Sequence, residues 1–396
     1  MGGAKGLYMK QLERGYSGSA KYICCECMEE KSIRLFIERN SINVACSYCG
    51  KSVAAPLASV VKLIVESLNM EYDDPVNGVG WSSGDGGWIG VDGKIWDTDD
   101  LLYDLDIETP AINDIVSLIH QTEWVDADPY GPLPHEQLEL DWEKFAKSIK
   151  SYCIKRKCSI DAKCIQDMQK YSKYNHILDS IGFCVEKLGL VTTWPEGSLI
   201  YRARQSRHAT SYRRVSELGP PQPSEAKYPN RMSPAGESMF YGALDELTCI
   251  NEIAPNKNCP FIATVATWKT IKDINILDLS ALPRVPSIFN SSKRRLRTPI
   301  RFLYDFLQDF SKKIIKDGTE QIEYLPTQIV TNYFRNSYCL NRKSKIDGII
   351  YKSSQSNGSS CALFFGQDDC TNEQDLAEGK AVLCLLQSSI KEIPFG

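Results

Sequence analysis

RMSPAGESMFYGALDELTCINE, residues 231–252, sets Arg231, Tyr241 and Glu252 at offsets of ten and eleven, with a Pro-Ala-Gly turn between the first two and a helix-like tail leading to the third. A turn followed by a helix can bring a cation, an aromatic hydroxyl and an acid to one cleft. Upstream, SLIYRARQ (198–205) alternates its faces as a strand does, and LGPPQPSEAKYPN (218–230) is a Pro-rich loop. Downstream, PFIATVATWKTIKDINILDLS (260–280) holds β-rich runs and TPIRFLYDFLQDFSKKII (298–315) reads as an amphipathic helix. DGIIYKSS (347–354) and CALFFG (361–366) end as short strands. This half of the chain is expected to be α+β.

The first half has a different texture. Cys24 and Cys27 form one CxxC, and Cys46 and Cys49 form another after eighteen intervening residues. Each CxxC can curl into a knuckle offering two thiolates, and two knuckles close a tetrahedral, structural Zn2+ site with no open position for water. Cys25 is left over. PLASVVKLIVESLNME (56–71) has apolar positions at helical spacing, and PHEQLELDWEKFAKSIKSYC (134–153) and IQDMQKYSKYNHILDSIGFCVEKLGL (165–190) read as two further helices. The Gly-, Trp- and Asp-rich run between residues 73 and 105 has no Gly-Lys-Ser/Thr, so it reads as a structured loop rather than a phosphate loop. The expected division is a zinc-knuckle segment over 1–55, a mainly helical domain over 56–192 and an α+β domain over 193–396.

At 396 residues and 42% hydrophobic content the chain is long enough for two or three domains with a sizeable core. Its 46 basic and 50 acidic side chains leave a formal charge of −4, so no global field attracts nucleic acid or an anionic membrane. No apolar stretch reaches the roughly 18–20 residues of a membrane span, and the Met-Gly-Gly-Ala-Lys start lacks the apolar segment of a secretory signal. A cytoplasmic location is the expectation. There the fifteen cysteines are thiols or metal ligands; Cys184 and Cys361, in apolar settings, read as small core residues.

Several motifs in order resemble the RES domain of bacterial toxins: YRAR (201–204), ELGPPQP (217–223), the 231–252 segment, LPRVPSIF (282–289), YLPTQIVTNYFR (324–335) and DGIIYKSS. The first half, through its two CxxC pairs, GGWIG (86–90) and WEKF (142–145), resembles the HEPN/RES N-terminal module. The resemblance implies an α+β fold similar to the ADP-ribosylating toxins, with NAD+ as substrate: an NAD-consuming toxin or defence effector that releases nicotinamide, with water or phosphate as acceptor, or one that transfers ADP-ribose to a protein. Breaking the ribose–nicotinamide bond builds positive charge on the sugar, and Glu252 is the carboxylate expected to stabilise it. Arg231 and Arg202 are the candidates for the pyrophosphate, and Tyr241 for stacking on nicotinamide or bonding the sugar. The family's C-terminal serine falls on Ser353, with Ser354 adjacent, and is expected to position NAD+. An antitoxin, a trigger protein or a second copy of the chain are the expected partners.

Two other classes compete. A HEPN-type ribonuclease carries arginine followed four to six residues later by histidine on a helix. Arg202 and His208 match the count but fall on an expected strand and the loop after it. A zinc-ribbon adaptor without catalysis would bind nucleic acid or protein, and SSKRRLRTPIR (291–301) is a basic run that could touch phosphate; its expected role is a solvated loop before a helix.

Overall fold

The computed structural model describes residues 14–84, 86–91, 95–156, 160–171, 175–206, 212–254, 261–312, 320–340, 344–376 and 379–395. The chain divides into two compact units: residues up to Pro134 together with Val285–Thr298, and His135–Arg284 together with Pro299–Gly396. This differs from the division expected at 55 and 192. Trp142, Phe145, Ile177 and Ile181 share a core with Phe302, Leu325 and Ile349, so the helices after residue 134 go with the later sheet. Ile288 and Phe289 are buried in the core of the first unit instead.

In the first unit, strand β1 (Tyr22–Ile23) pairs antiparallel with β2 (Ala55–Pro56). Helix α1 (Lys31–Asn40) starts where the Glu30 carboxylate accepts the Ile33 N–H at 2.6 Å, and it buries Ile33 and Ile37, one turn apart. Helix α2 (Leu57–Leu68) buries Val60, Val61, Ile64 and Leu68, each worth about 1.5–3 kcal/mol when fully removed from water. Strand β3 (Tyr72–Asp73) follows. The Gly-rich run contains a small hairpin, β4 (Trp81–Ser82) with β5 (Gly87–Trp88), whose two tryptophans meet edge to face at 5.0 Å. Next come β6 (Trp96–Asp97), helices α3 (Thr98–Asp104) and α4 (Ile112–Leu118), and β7 (Glu123–Asp126), which pairs with both β3 and β6. The basic run is not a solvated loop: Arg294 Nη1 donates to Ser67 Oγ at 2.9 Å and Arg297 pairs with Glu71, both within this unit.

The second unit begins with α5 (Pro134–Arg156). The single helix expected over 165–190 is two, α6 (Ala162–Tyr171) and α7 (His176–Leu188), the latter closed by Gly189 at φ 63°. A ten-stranded, largely antiparallel sheet follows. Its members are β8 (Val191–Trp194), β9 (Leu199–Ser206), β10 (Phe240–Ala243), β11 (Phe261–Thr270), β12 (Ile274–Asp278), β13 (Gly348–Lys352), β14 (Ser359–Leu363), β15 (Cys370–Asn372), β16 (Leu383–Leu385) and β17 (Lys391–Phe395). Along the sheet the order is β15-β16-β11-β9-β10-β14-β13-β12-β8, with β17 also on β11. Between strands lie α8 (Val215–Leu218), α9 (Glu246–Ile253), α10 (Arg297–Ser311), α11 (Glu320–Glu323) and α12 (Leu325–Asn332).

The two-residue period of the strands sorts their side chains into two cores. Leu277, Ile349 and Ala362 face the helices, whereas Ile276, Ile350, Cys361 and Leu363 face the opposite side with Trp268 and Leu218. Gly242 is required where β10 crosses β9, because a Cβ there would lie 2.7 Å from Ile200 Cγ2. Among the described residues no helix is long and apolar enough to cross a membrane.

Candidate active site

Strand β9 pairs with β11 over eight residues, Leu199 to Ser206, but with β10 only at Tyr201↔Ala243. Past that pair the two strands part, and a cavity of about 460 Å³ is lined by both of them through Arg202, Ala203, Arg204, Tyr241 and Gly242. Arg202 Nη1 donates to the Tyr241 carbonyl and Nη2 to the Gly219 carbonyl at 3.2 Å, so the guanidinium bridges the parted strands. It lies over the Phe240 ring at 5.0 Å. Arg204, two residues on and so on the same strand face, donates Nε to the Glu217 carbonyl at 3.2 Å and Nη2 to that of Gly219 at 2.7 Å.

Neither arginine has a carboxylate partner among the described residues. Burial, with the charge of Arg204 alongside, pulls the Arg202 guanidinium down to about 9, and burial lowers Arg204 as well. Arg202 Nε is buried without a hydrogen-bond partner among the described residues. Two desolvated cations whose described hydrogen bonds all go to carbonyl oxygens are an unbalanced pair, and an anion in the cavity would balance it.

Across the cavity stands α9. The Asp245 carboxylate caps it by accepting the Thr248 N–H at 2.8 Å. Cys249 and Glu252, one turn apart, then both line the cavity. Glu252 lies in the last turn, where the helix dipole disfavours an acid by about 0.3–1 kcal/mol. Two hydroxyls offset this by donating to the same carboxylate oxygen: Ser353 Oγ at 2.6 Å from Oε1 and Ser360 Oγ at 2.9 Å. Tyr241 presents its ring to the cavity while its hydroxyl is 2.8 Å from Ser233 Oγ, and burial keeps the phenol neutral well above its ordinary range. Tyr351, aligned with Ser360 across the β13–β14 register, completes the wall beside Glu252.

Of the residues singled out from sequence, Arg202, Tyr241 and Glu252 thus share one cavity, and Ser353 is bonded to Glu252. Ser353 Oγ also accepts the Gln355 and Ser356 N–H groups at 3.1 and 3.2 Å, while Ser354 is exposed and accepts from the Gln355 side chain at 3.4 Å. Arg231 is placed differently from the expectation. Its Nη1 and Nη2 donate to the carbonyls of Phe310 and Lys312, both at 2.7 Å, at the end of α10, and it is not among the lining residues. Sequence reasoning missed Arg204, Ser233, Glu237, Tyr351 and Ser360. The alternation in YRAR already puts Arg204 beside Arg202; nothing local marks Ser360. His208, half of the ribonuclease-like pair, lies outside the described residues.

In the first unit the four cysteines converge: the Sγ atoms of Cys24, Cys27, Cys46 and Cys49 all lie within 4.8 Å of one another. Cys24 to Cys27 is 3.6 Å, Cys24 to Cys49 3.3 Å and Cys27 to Cys46 3.9 Å. A zinc tetrahedron with bonds of about 2.3 Å places sulfurs about 3.8 Å apart, so the donor set fits that ion and is far too open for a disulfide. Gly50, at φ 77°, lets its N–H return to the Cys46 carbonyl at 2.9 Å and close the second knuckle. Burial pushes the Cys46 thiol up, but N–H groups of Tyr48, Cys24 and Cys49 outweigh it and hold the thiol at about 7.

The family model for the RES domain matches residues 199–382, a span that contains every residue of the cavity named above, and that for HEPN/RES N-terminal domain 1 matches residues 39–156. The chain is a RES-domain protein with a HEPN/RES-type N-terminal domain. No curated protein and no solved structure matches it. A RES domain is consistent with an NAD-using effector, and an α+β architecture with a cysteine cluster able to hold a metal accompanies it here.

Proposed function

We propose that the chain cleaves the bond between nicotinamide and ribose in NAD+. One observation carries the reading: a single cavity holds two desolvated guanidiniums without acid partners among the described residues, and a carboxylate fixed through one oxygen by two serines. Arg202 and Arg204 suit the pyrophosphate, since guanidinium donors match phosphate oxygens. The Tyr241 ring suits the nicotinamide face. As the C–N bond breaks, nicotinamide leaves with the bonding pair and becomes neutral, and the ribose takes on oxocarbenium character. Glu252 then faces more positive charge in the transition state than in the ground state. Water adds at the vacated carbon and loses a proton, giving ADP-ribose. Phosphate or a protein side chain in place of water would give the phosphorolytic or ADP-ribosylating alternatives.

On this reading the chain acts as a toxin or defence effector that drains cytoplasmic NAD+, with zinc held by the four thiolates of the first unit, where an antitoxin or trigger would act. The test is nicotinamide release from NAD+ by the purified protein beside Glu252→Ala, with and without phosphate to identify the acceptor. The variant is expected to lose about 100-fold or more in kcat. Full activity in Glu252→Ala overturns the assignment.

A further inference from the structure

Glu252 is clamped from a hairpin remote in sequence. The turn from β13 to β14 docks on the start of α9: Ser356 Oγ is 3.0 Å from Thr248 Oγ1, and Gly358 packs directly on Thr248. At the other end of the helix, both arms of the same hairpin reach the acid. Ser353 comes from the end of β13 and Ser360 from within β14, and both hydroxyls donate to Oε1. A carboxylate oxygen that accepts two hydrogen bonds is held in place, and its partner Oε2 has no hydrogen bond among the described residues. The two serines differ in one respect. Ser353 Oγ also accepts two backbone N–H groups of the turn, whereas the described hydrogen bond of the Ser360 side chain is the one to Glu252, although the residue is only 2% exposed. A buried hydroxyl devoted to an exposed acid is better explained by orientation of that acid than by packing.

We propose that Ser360 is a positioning residue for the cleavage: with Ser353 it fixes Oε1 so that Oε2 faces the ribose. This rests on the reading of the cavity as an NAD+ site. Ser360 lines the cavity, but its hydroxyl is given to Glu252 Oε1 at 2.9 Å, so it acts through that acid. It therefore contributes to kcat and hardly to NAD+ binding, which lies with the arginines and the Tyr241 ring. Ser353 is expected to share this role, but its replacement also loosens the turn, so Ser360 gives the cleaner test.

The experiment is a double-substitution cycle on the full chain, with kcat and KM for NAD+ read from nicotinamide release and folding read from the thermal melt. Ser360→Ala is expected to lower kcat about 10- to 100-fold, the scale of one hydrogen bond to a charged group, with KM within about threefold. Ser360→Thr, which keeps the hydroxyl, is expected to recover most of the rate. In a Glu252→Gln background Ser360→Ala is expected to have no further effect, because the group it positions is already altered. A wild type that releases no nicotinamide overturns both the site reading and the clamp. A wild type that turns over while Ser360→Ala keeps its kcat, or loses as much again in the Glu252→Gln background, overturns the clamp alone.

Discussion

Gly358 lies so close to Thr248 that a Cβ on the glycine would stand 1.9 Å from Thr248 Oγ1, and 2.6 Å from the Asp245 carboxylate that caps the same helix. The hairpin turn and the first turn of α9 are in backbone-to-side-chain contact, and the last turn of α9 carries Glu252. Gly358→Ala must push the two elements apart. It is expected to destabilise the second unit by about 1–3 kcal/mol, as overpacking of a tight contact does, and to lower nicotinamide release by more than tenfold at temperatures where the protein stays folded. A melt and an assay on the same sample check both; an active variant with a lowered melt would separate the contact from the site.

Arg204 is expected to matter for ligand affinity. Arg204→Gln should raise the KM for NAD+ by about 10- to 100-fold, the loss of charge-assisted bonds to one phosphate, with a smaller change in kcat. Calorimetry with ADP-ribose offers a check without turnover: the wild type should bind it and Arg204→Gln should bind it measurably less. Arg231→Gln should instead lower the melting temperature with little change in KM, because its donors hold the end of α10.

Metal content tests the cysteine cluster. Protein purified without chelator should contain about one zinc per chain, and removing it should unfold the first unit, because a closed four-thiolate site supplies folding free energy directly. Cys46→Ser should do the same without chelator. Far-ultraviolet dichroism and metal analysis before and after dialysis decide it.

Glu217 gives a pH dependence of known sign. Its carboxylate accepts the N–H groups of Arg213 and Arg214, both at 2.8 Å, and these hold its pKa below the ordinary value. The unfolded chain therefore binds this proton more readily, so the stabilisation is fully present above about pH 4.3 and is lost as pH falls through the lower folded value. Since Glu217 caps the short helix α8 that ends at the Gly219 carbonyl shared by Arg202 and Arg204, Glu217→Gln should lower the melt at pH 7, and the difference from wild type should shrink as pH falls through the lowered folded value.

The residues themselves determined whatever depends on neighbours in the chain. Spacing alone pairs Cys24 with Cys27 and Cys46 with Cys49; apolar periodicity marks α2, found at Leu57–Leu68; alternation marks β9; and the ordered motifs single out Tyr241 and Glu252. Tertiary structure decided the rest. Ser360 reaches Glu252 across 108 residues only because the β13–β14 register turns its hydroxyl toward α9, and no local pattern encodes that register. Arg231 looked like the natural phosphate cation, yet its guanidinium is engaged by carbonyls at the end of α10, about eighty residues along the chain. The division of the chain was equally hidden, because Ile288 and Phe289 follow the first unit's apolar core rather than their sequence neighbours. Hydrogen-bond donors and apolar side chains carry no address of their own. Which partner each one finds is settled when the sheet closes and the remaining acceptors and cavities are the ones within reach.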